Sequence, residues 1–220
     1  MADPDRQWKR RFSAFETAVS WEIASKRKSG VPEPIEKLFI KGAFGDPLLV
    51  FAVAEHKVDL PGGNAASQCD VWAVLKAKAG MLSLTVEAKA SEPFGDETLE
   101  TWLVAGKSKE SISNRERRFE YIRTHLPRSP SFMQVRYQIL HRCAASVMEA
   151  KRFGFQQAAF VVQAFNTPDQ SFRDYAAFCE CLGIPAARGN MATTTVDSIS
   201  LSVGWADCPL ATSDEIAATA

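Results

Sequence analysis

The chain has 220 residues, 46% hydrophobic and 24% charged, and its 26 basic residues balance its 26 acidic ones. This composition is ordinary for a soluble globular domain, and the zero net charge excludes a chain-wide electrostatic attraction to nucleic acid. Five cysteines without a C-x-x-C pair, no signal-peptide pattern and no apolar run of membrane-spanning length predict a reduced, cytoplasmic protein with no membrane partner.

The length predicts a single domain over residues 12–206, between a flexible N-terminus at residues 1–11 and a loose C-terminal tail at residues 207–220. Phe12, Phe15, Val19 and Ile23 recur at helical spacing and predict a helix over residues 12–28. Residues 35–41 fit either a short strand or a helical turn. Residues 48–60 are rich in β-formers and predict the first central strand, with Glu55 near its end.

Residues 69–90 predict a β-hairpin, because two β-rich runs flank Ala79 and Gly80. With those two residues as the loop, Asp70 lies opposite Lys89. Side chains alternate along a strand, so Asp70, Glu87 and Lys89 share one face in any register with a two-residue loop. We therefore expect two carboxylates and one ammonium to meet at the open end of the hairpin, facing a solvent-accessible cleft.

Two neighbouring carboxylates suit a hard divalent cation such as Mg²⁺, which takes oxygen ligands and keeps several waters. An Asp followed by Glu-x-Lys on a hairpin resembles the PD-(D/E)XK nuclease superfamily, with Cys69 standing where the motif has proline. The longer string LPGGNAASQCDVW…VEAKASEPFG is similar to a bacterial branch of nuclease-like proteins. The pattern also fits the alternative of a solvated strand face with no chemical role.

The resemblance implies that Asp70, Glu87 and the backbone carbonyl of Ala88 hold Mg²⁺ or Mn²⁺, and that Lys89 positions the attacking water. In that superfamily an extra acidic residue sometimes joins the metal shell, which makes Glu55 a candidate. Gln68 lies two residues before Asp70, and in an extended chain its side chain points to the same side.

Residues 107–128 are the most basic stretch of the chain, and they predict a helix over residues 114–125 that shows its arginines outward. Clustered arginine binds phosphate, so Arg115, Arg117 and Arg118 form the predicted nucleic-acid surface. A solvated helix face with ion pairs to nearby glutamates explains the same pattern equally well.

Residues 132–153 carry the longest helical pattern, and Gln138, His141 and Arg142 lie on it as candidate phosphate contacts. Some exonuclease-like members of the resembled superfamily carry a Gln-x-x-x-Tyr motif on such a helix. Here Arg142 occupies the position of that tyrosine, so the motif is not met.

The remaining elements are a buried, parallel strand at residues 156–165, a helix at residues 171–182 and a last strand at residues 196–205 with a bulge at Asp197 and Ser198. Together with the hairpin, this order predicts an α/β fold, a restriction-endonuclease-like mixed β-sheet flanked by helices.

The predicted function is a metal-dependent nuclease that hydrolyses DNA phosphodiester bonds, with DNA as its partner. One alternative is an inactive protein of the same fold that binds nucleic acid or a protein partner, and another is an assembly subunit that docks an acidic protein. A homodimer stays open as a further arrangement.

Overall fold

The computed structural model describes residues 8–42 and 44–219, so the predicted flexible N-terminus lies largely outside the described residues. Seven helices and six strands are described in this part of the chain. The helices are α1 (Ser13–Ala24), α2 (Glu33–Lys41), α3 (Leu99–Val104), α4 (Lys109–Arg123), α5 (Tyr137–Arg152), α6 (Asp169–Cys181) and α7 (Ser213–Ala217). The strands are β1 (Leu48–Val58), β2 (Ser67–Ala77), β3 (Gly80–Lys89), β4 (Gln157–Phe165), β5 (Met191–Val196) and β6 (Ile199–Cys208).

The six strands form one mixed sheet in the order β1-β2-β3-β4-β6-β5. Strands β1, β2 and β3 run antiparallel as a meander, and β4 joins β3 and β6 in parallel. Every residue of β4 is buried, as its continuous apolar run predicts for a strand that helices cover on both faces. The predicted mixed α/β sheet with flanking helices is confirmed.

Each face of the sheet has its own hydrophobic core, and β4 contributes alternate residues to the two cores. Phe160 and Val162 pack in the core that includes α5 and α6, while Ala159 and Val161 pack in the core that includes α2. On β3 the alanine and aliphatic residues from Leu82 to Ala88 belong to the α2 side. Thr85, Glu87 and Lys89 therefore point toward α5, which the alternation of a strand requires.

Several predicted elements differ from the observed ones in type or extent. Residues 33–41 form a helix, which settles the open choice between a strand and a helical turn. The expected bulge at Asp197 and Ser198 is wrong, because these residues make the turn between the antiparallel strands β5 and β6, with Asp197 at φ 52°. That left-handed φ suits a two-residue hairpin turn, and Asp tolerates it better than most residues.

The segment predicted as a loose C-terminal tail contains the short helix α7, which begins with a capping box between Thr212 and Glu215. It packs beside α1, where the buried carboxylate of Glu16 accepts hydrogen bonds from the backbone N–H groups of Arg11 and Ala211, each at 2.7 Å. None of the helices in the described ranges is long and apolar enough to cross a membrane.

Candidate active site

The β2–β3 hairpin brings the three motif residues together, as the strand parity predicts. The observed turn is Lys78 and Ala79, one position earlier than predicted, and the ladder runs from Ala77 opposite Gly80 to Val71 opposite Val86. Continuing this register places Asp70 opposite Glu87 instead of Lys89. The shift moves the pairing by one step along each strand, so the parity stays the same and the three residues still meet at the open end.

The contacts at this end are short and direct. The backbone N–H of Ala88 donates to Asp70 Oδ2 at 2.7 Å. This side-chain bond takes the place of the next backbone hydrogen bond between β2 and β3. In an extended strand the N–H and C=O of one residue point to the same side, so the carbonyl of Ala88 also faces β2. The ammonium of Lys89 donates to Glu87 Oε1 at 2.8 Å.

Helix α5 adds a second cation over the hairpin. Arg142 Nε lies 2.8 Å from Glu87 Oε2, but the two atoms are poorly aligned for a hydrogen bond, so the contact is an ion pair. The hydroxyl of Thr85 donates to the carbonyl of Arg142 at 3.1 Å and ties α5 to β3 at this point. The sequence predicted Arg142 as a phosphate contact, and its pairing with Glu87 became visible only in the fold.

The motif residues are more enclosed than predicted. Glu87 and Lys89 expose only 1% and 5% of their surface, and Asp70 is partly buried, so the expected open cleft is wrong for two of the three. Lys89 also lies over the ring of Phe94, 5.4 Å from its centroid. The site is therefore a largely enclosed charged cluster between β3 and α5, where electrostatic interactions are stronger than in water.

Burial and the charges in this cluster shift the pKa of Asp70 and of Lys89. Burial, and then the neighbouring Glu87 carboxylate, raise the pKa of Asp70 to about 7, although Lys89 and the Ala88 N–H oppose the shift. Burial alone would lower the pKa of Lys89, but Glu87 outweighs it and the pKa rises. Lys89 therefore stays protonated at neutral pH, so it stabilises charge and does not act as a general base.

We expect Asp70→Asn to remove a pH dependence of the free energy of unfolding. The pKa of Asp70 in the folded protein is about 7, so it keeps its proton up to about that pH, whereas the unfolded chain releases it near the ordinary pKa of 3.8. Between those two values the folded state binds more protons, so the contribution of Asp70 to stability falls as pH rises, by up to a few kcal/mol. Urea unfolding of both proteins at a series of pH values measures this difference.

The free energy of unfolding has to be compared between the wild type and Asp70→Asn, because His141 changes it with pH in the opposite direction to Asp70. Burial, followed by Arg142 and Arg118, lowers the pKa of His141 well below its usual value, so its contribution to stability falls as pH decreases. A difference curve that is flat from pH 4 to pH 7 would contradict the raised pKa of Asp70. Asn keeps a side-chain oxygen for the Ala88 N–H, so that hydrogen bond survives the substitution.

His141 itself is an enclosed, neutral side chain. Its Nδ1 lies 2.8 Å from the hydroxyl of Ser67 at the start of β2, and the same hydroxyl donates to the His141 carbonyl at 3.2 Å. This pair fastens α5 to β2. A neutral imidazole offers no positive charge to a phosphate, so the structure places His141 in a positioning role.

Glu55 lies one strand further out, on β1, and Gln68 lies on β2, two residues before Asp70. The register of β1 and β2 pairs Ala54 with Val71 and His56 with Cys69, which leaves Glu55 across from Asp70. Glu55 has φ 56°, an unusual left-handed conformation for this residue type, and its carboxylate accepts a hydrogen bond from Gln68 Nε2. Among the residues that the structure describes, no three His, Cys, Asp or Glu side chains gather as a metal site. Gln68 therefore holds the Glu55 carboxylate on the neighbouring strand, at the register position across from Asp70.

The three predicted arginines of α4 have different surroundings. Arg117 is exposed and donates to Asn114, whereas Arg115 lies over the Trp102 ring, 5.0 Å from its centroid, and donates to the Trp102 carbonyl. The expectation that all three point outward is wrong for Arg118, which is 7% exposed and donates to the Pro61 carbonyl at 3.0 Å. Helix α4 packs on the loop of residues 61–66, and this contact turns Arg118 inward.

A cavity of about 430 Å³ opens where this loop meets α4. Its wall combines loop backbone, the first turns of α4 and two guanidinium groups, from Gly62, Gly63, Ser108, Ser111, Arg115 and Arg118. Gly62 has φ 80°, and a Cβ built there would lie 2.0 Å from the carbonyl oxygen of Asn114. The loop can approach α4 this closely only because the residue is glycine.

We therefore expect Gly62→Ala to destabilise the protein by roughly 2–4 kcal/mol, since it adds a backbone clash to the cost of a left-handed alanine. Gly183→Ala is the matched control, because Gly183 also has a left-handed φ, of 69°, but no atom lies within 4 Å of its added Cβ. The control should lose only about 1 kcal/mol. Chemical unfolding of both variants measures the two losses, and equal losses would contradict the close contact.

A buried carboxylate on α5 was not predicted as a special residue. Glu149 is buried, with Oε1 lying 3.6 Å from His56 Nε2 and 3.5 Å from Arg152 Nη1. The imidazole of His56 stacks on the Trp72 ring, with 4.5 Å between the centroids. The available signal was an acid within the otherwise uncharged, mostly apolar stretch from Ala144 to Ala150.

Comparison with known proteins places the chain in one family. It belongs to the family described as Domain of unknown function (DUF6946), which it matches over residues 1–209. No curated protein and no solved structure matches the chain. The family description states no activity.

Proposed function

We propose that this DUF6946 protein is a divalent-metal-dependent nuclease that hydrolyses DNA phosphodiester bonds. The observation that carries the proposal is the charged cluster of Asp70, Glu87, Lys89 and Arg142 between β3 and α5, in which the buried Arg142 Nη1 has no hydrogen-bond partner within the described ranges. Buried polar groups are almost always satisfied, so an unpaired guanidinium donor beside two carboxylates favours a ligand that brings an acceptor oxygen, as a phosphate does.

The residues present fit a hard divalent cation. Asp70 and Glu87 supply oxygen ligands from adjacent strands, the Ala88 carbonyl faces the same side, and Glu87 Oε2 lacks an aligned donor. Burial, followed by the Glu87 carboxylate, raises the pKa of Asp70, so a cation beside these two carboxylates would favour the ionised form of Asp70. When bound, a cation here lowers the pKa of a coordinated water and neutralises charge on the phosphate.

The residues of the chain itself then have separate roles. Lys89 remains protonated against Glu87 and can stabilise the negative charge that builds on the phosphate oxygens during attack. Arg142 carries a buried Nη1 donor with no hydrogen-bond partner in the described ranges, and such a donor suits a phosphate oxygen. Thr85 and Ser67 hold α5 over the strands, so that these cations keep their positions.

The surface for the nucleic acid is the cavity between the 61–66 loop and α4. Its glycines offer backbone without obstructing side chains, while Arg115 and Arg118 line it and Arg117 lies exposed nearby on the same helix. Such a groove suits a phosphate backbone on a protein whose net charge is zero, because the attraction has to be local.

The deciding experiment is cleavage of supercoiled and linear DNA with Mg²⁺, Mn²⁺ or EDTA. We expect metal-dependent nicking by the wild type, and a loss of at least about a hundredfold in Asp70→Asn. Asp59→Asn, at an exposed position, is the matched control and should cleave normally. Absence of cleavage with both metals, by a folded wild type, would reject the nuclease proposal.

A second candidate is a protein of this fold that binds DNA without cutting it. It is favoured by one observation: both oxygens of Glu87 already lie 2.8 Å from a cation of the protein, Lys89 and Arg142. A salt titration of DNA binding tests it, with Arg117→Glu expected to weaken binding and reduce the salt slope. Salt-sensitive binding without cleavage would favour this candidate, and the absence of both would favour docking of an acidic protein.

A further inference from the structure

The outer edge of β1 exposes an unusual amount of apolar surface. Strand β1 is at one end of the sheet, with β2 as its only strand neighbour in the described part of the chain. Four large apolar side chains of the strand are exposed, and Phe153 at the end of α5 is exposed beside them, stacked on Trp72. We call this set the edge patch: Leu48, Val50, Phe51, Val53 and Phe153.

Part of this edge is covered, and part is free. The N–H of Leu49 donates to the carbonyl of Ser29 at 2.8 Å, so the chain before α2 covers the beginning of the strand. The register shifts between Leu49 and Phe51, and Glu55 leaves the extended conformation at φ 56°. Between these two irregularities, residues 51–54 form a regular extended edge without a charged side chain.

Natural sheets usually protect such an edge with charges, proline or a covering element, because unpaired backbone groups pair with other strands. The opposite edge follows this rule: β5 is six residues long, has three consecutive threonines and contacts α2. The β5 edge is therefore short and polar, whereas the β1 edge is exposed and apolar. Of these two edges, only the β1 edge has the features of a contact surface.

We propose that the β1 edge patch pairs antiparallel with the same strand of a second copy of this chain, giving a closed two-fold dimer with a continuous twelve-stranded sheet. Residues 48–54, LLVFAVA, carry no charge, so self-pairing about a two-fold axis brings no like charges into opposition. The zero net charge adds no general repulsion between copies. Because β5 is short, polar and in contact with α2, it does not offer a second edge for pairing. The assembly therefore closes at two copies and does not continue into a fibre.

The test measures molecular mass in solution by light scattering at about 1–100 µM. The wild type should approach twice 24.2 kDa at the upper concentrations. Val53→Lys places a charge in the middle of the free edge and should weaken dimerisation at least tenfold. Val104→Lys is the matched control, since Val104 is 73% exposed on α3 and Val53 is 39% exposed on β1.

Hydrogen exchange of the wild type gives a second measurement that does not depend on the variant folding. The amides of residues 51–54 should exchange more slowly in concentrated than in dilute protein, while those of β5 should not change. A monomer at about 100 µM, a dimer that Val53→Lys leaves intact, or assembly beyond the dimer would each overturn the proposal.

Discussion

Replacing Lys89 by methionine is expected to lower the rate of DNA cleavage by about two to three orders of magnitude, with DNA affinity changed by no more than about threefold. Lys89 is only 5% exposed and its ammonium is held by Glu87 at 2.8 Å. In the proposed nuclease it would therefore act on charge at the reacting phosphate and contact little of the rest of the nucleic acid. Single-turnover cleavage and equilibrium binding in Ca²⁺, measured side by side, separate the two quantities.

Loss of a buried charge also costs stability, so the comparison has to be made with folded protein. Glu87 keeps Arg142 as a partner in Lys89→Met, and methionine fills most of the space that the lysine stem occupies beside Phe94. Lys76→Met, at an exposed position of β2, is the matched control and should cleave as the wild type does. If Lys89→Met loses DNA binding and cleavage in parallel, the role assigned to Lys89 is wrong.

Replacing Arg142 by glutamine is expected to lower the free energy of unfolding by about 3–5 kcal/mol without metal, because it leaves Glu87 with one buried partner in place of two. If Glu87 can bind a divalent cation, Mg²⁺ should recover part of this loss by mass action. The rise in melting temperature on adding Mg²⁺ should then be larger in Arg142→Gln than in the wild type. Calorimetry with and without metal measures both effects.

The control for this experiment is Arg123→Gln, which removes an exposed ion pair with Glu120 and should cost less than about 1 kcal/mol. A variant that is destabilised but gains nothing from Mg²⁺ would favour the non-cutting candidate, in which the protein's own cations permanently occupy Glu87. The same result in a wild type that cleaves DNA would instead show that metal binds elsewhere.

The sequence by itself determined the mixed sheet and the meeting of Asp70, Glu87 and Lys89. Both follow from short-range rules. A largely apolar strand such as β4 has to be covered on both faces, and the period of two in a strand fixes which side chains share a face. The three residues share a face even though the predicted turn was wrong by one position. Moving the loop from Ala79 and Gly80 to Lys78 and Ala79 leaves the parity of the register unchanged.

Only the tertiary structure decided what surrounds these residues. Arg142 lies 55 positions beyond Glu87 in the sequence and reaches it because α5 crosses β3, and Arg118 turns inward because the loop at Pro61 packs on α4. The apolar exposure of β1 has the same origin, since a strand pattern does not tell whether the strand lies at an edge. Such contacts depend on how elements that are distant in the sequence pack together, and the local spacing of residues does not predict that packing.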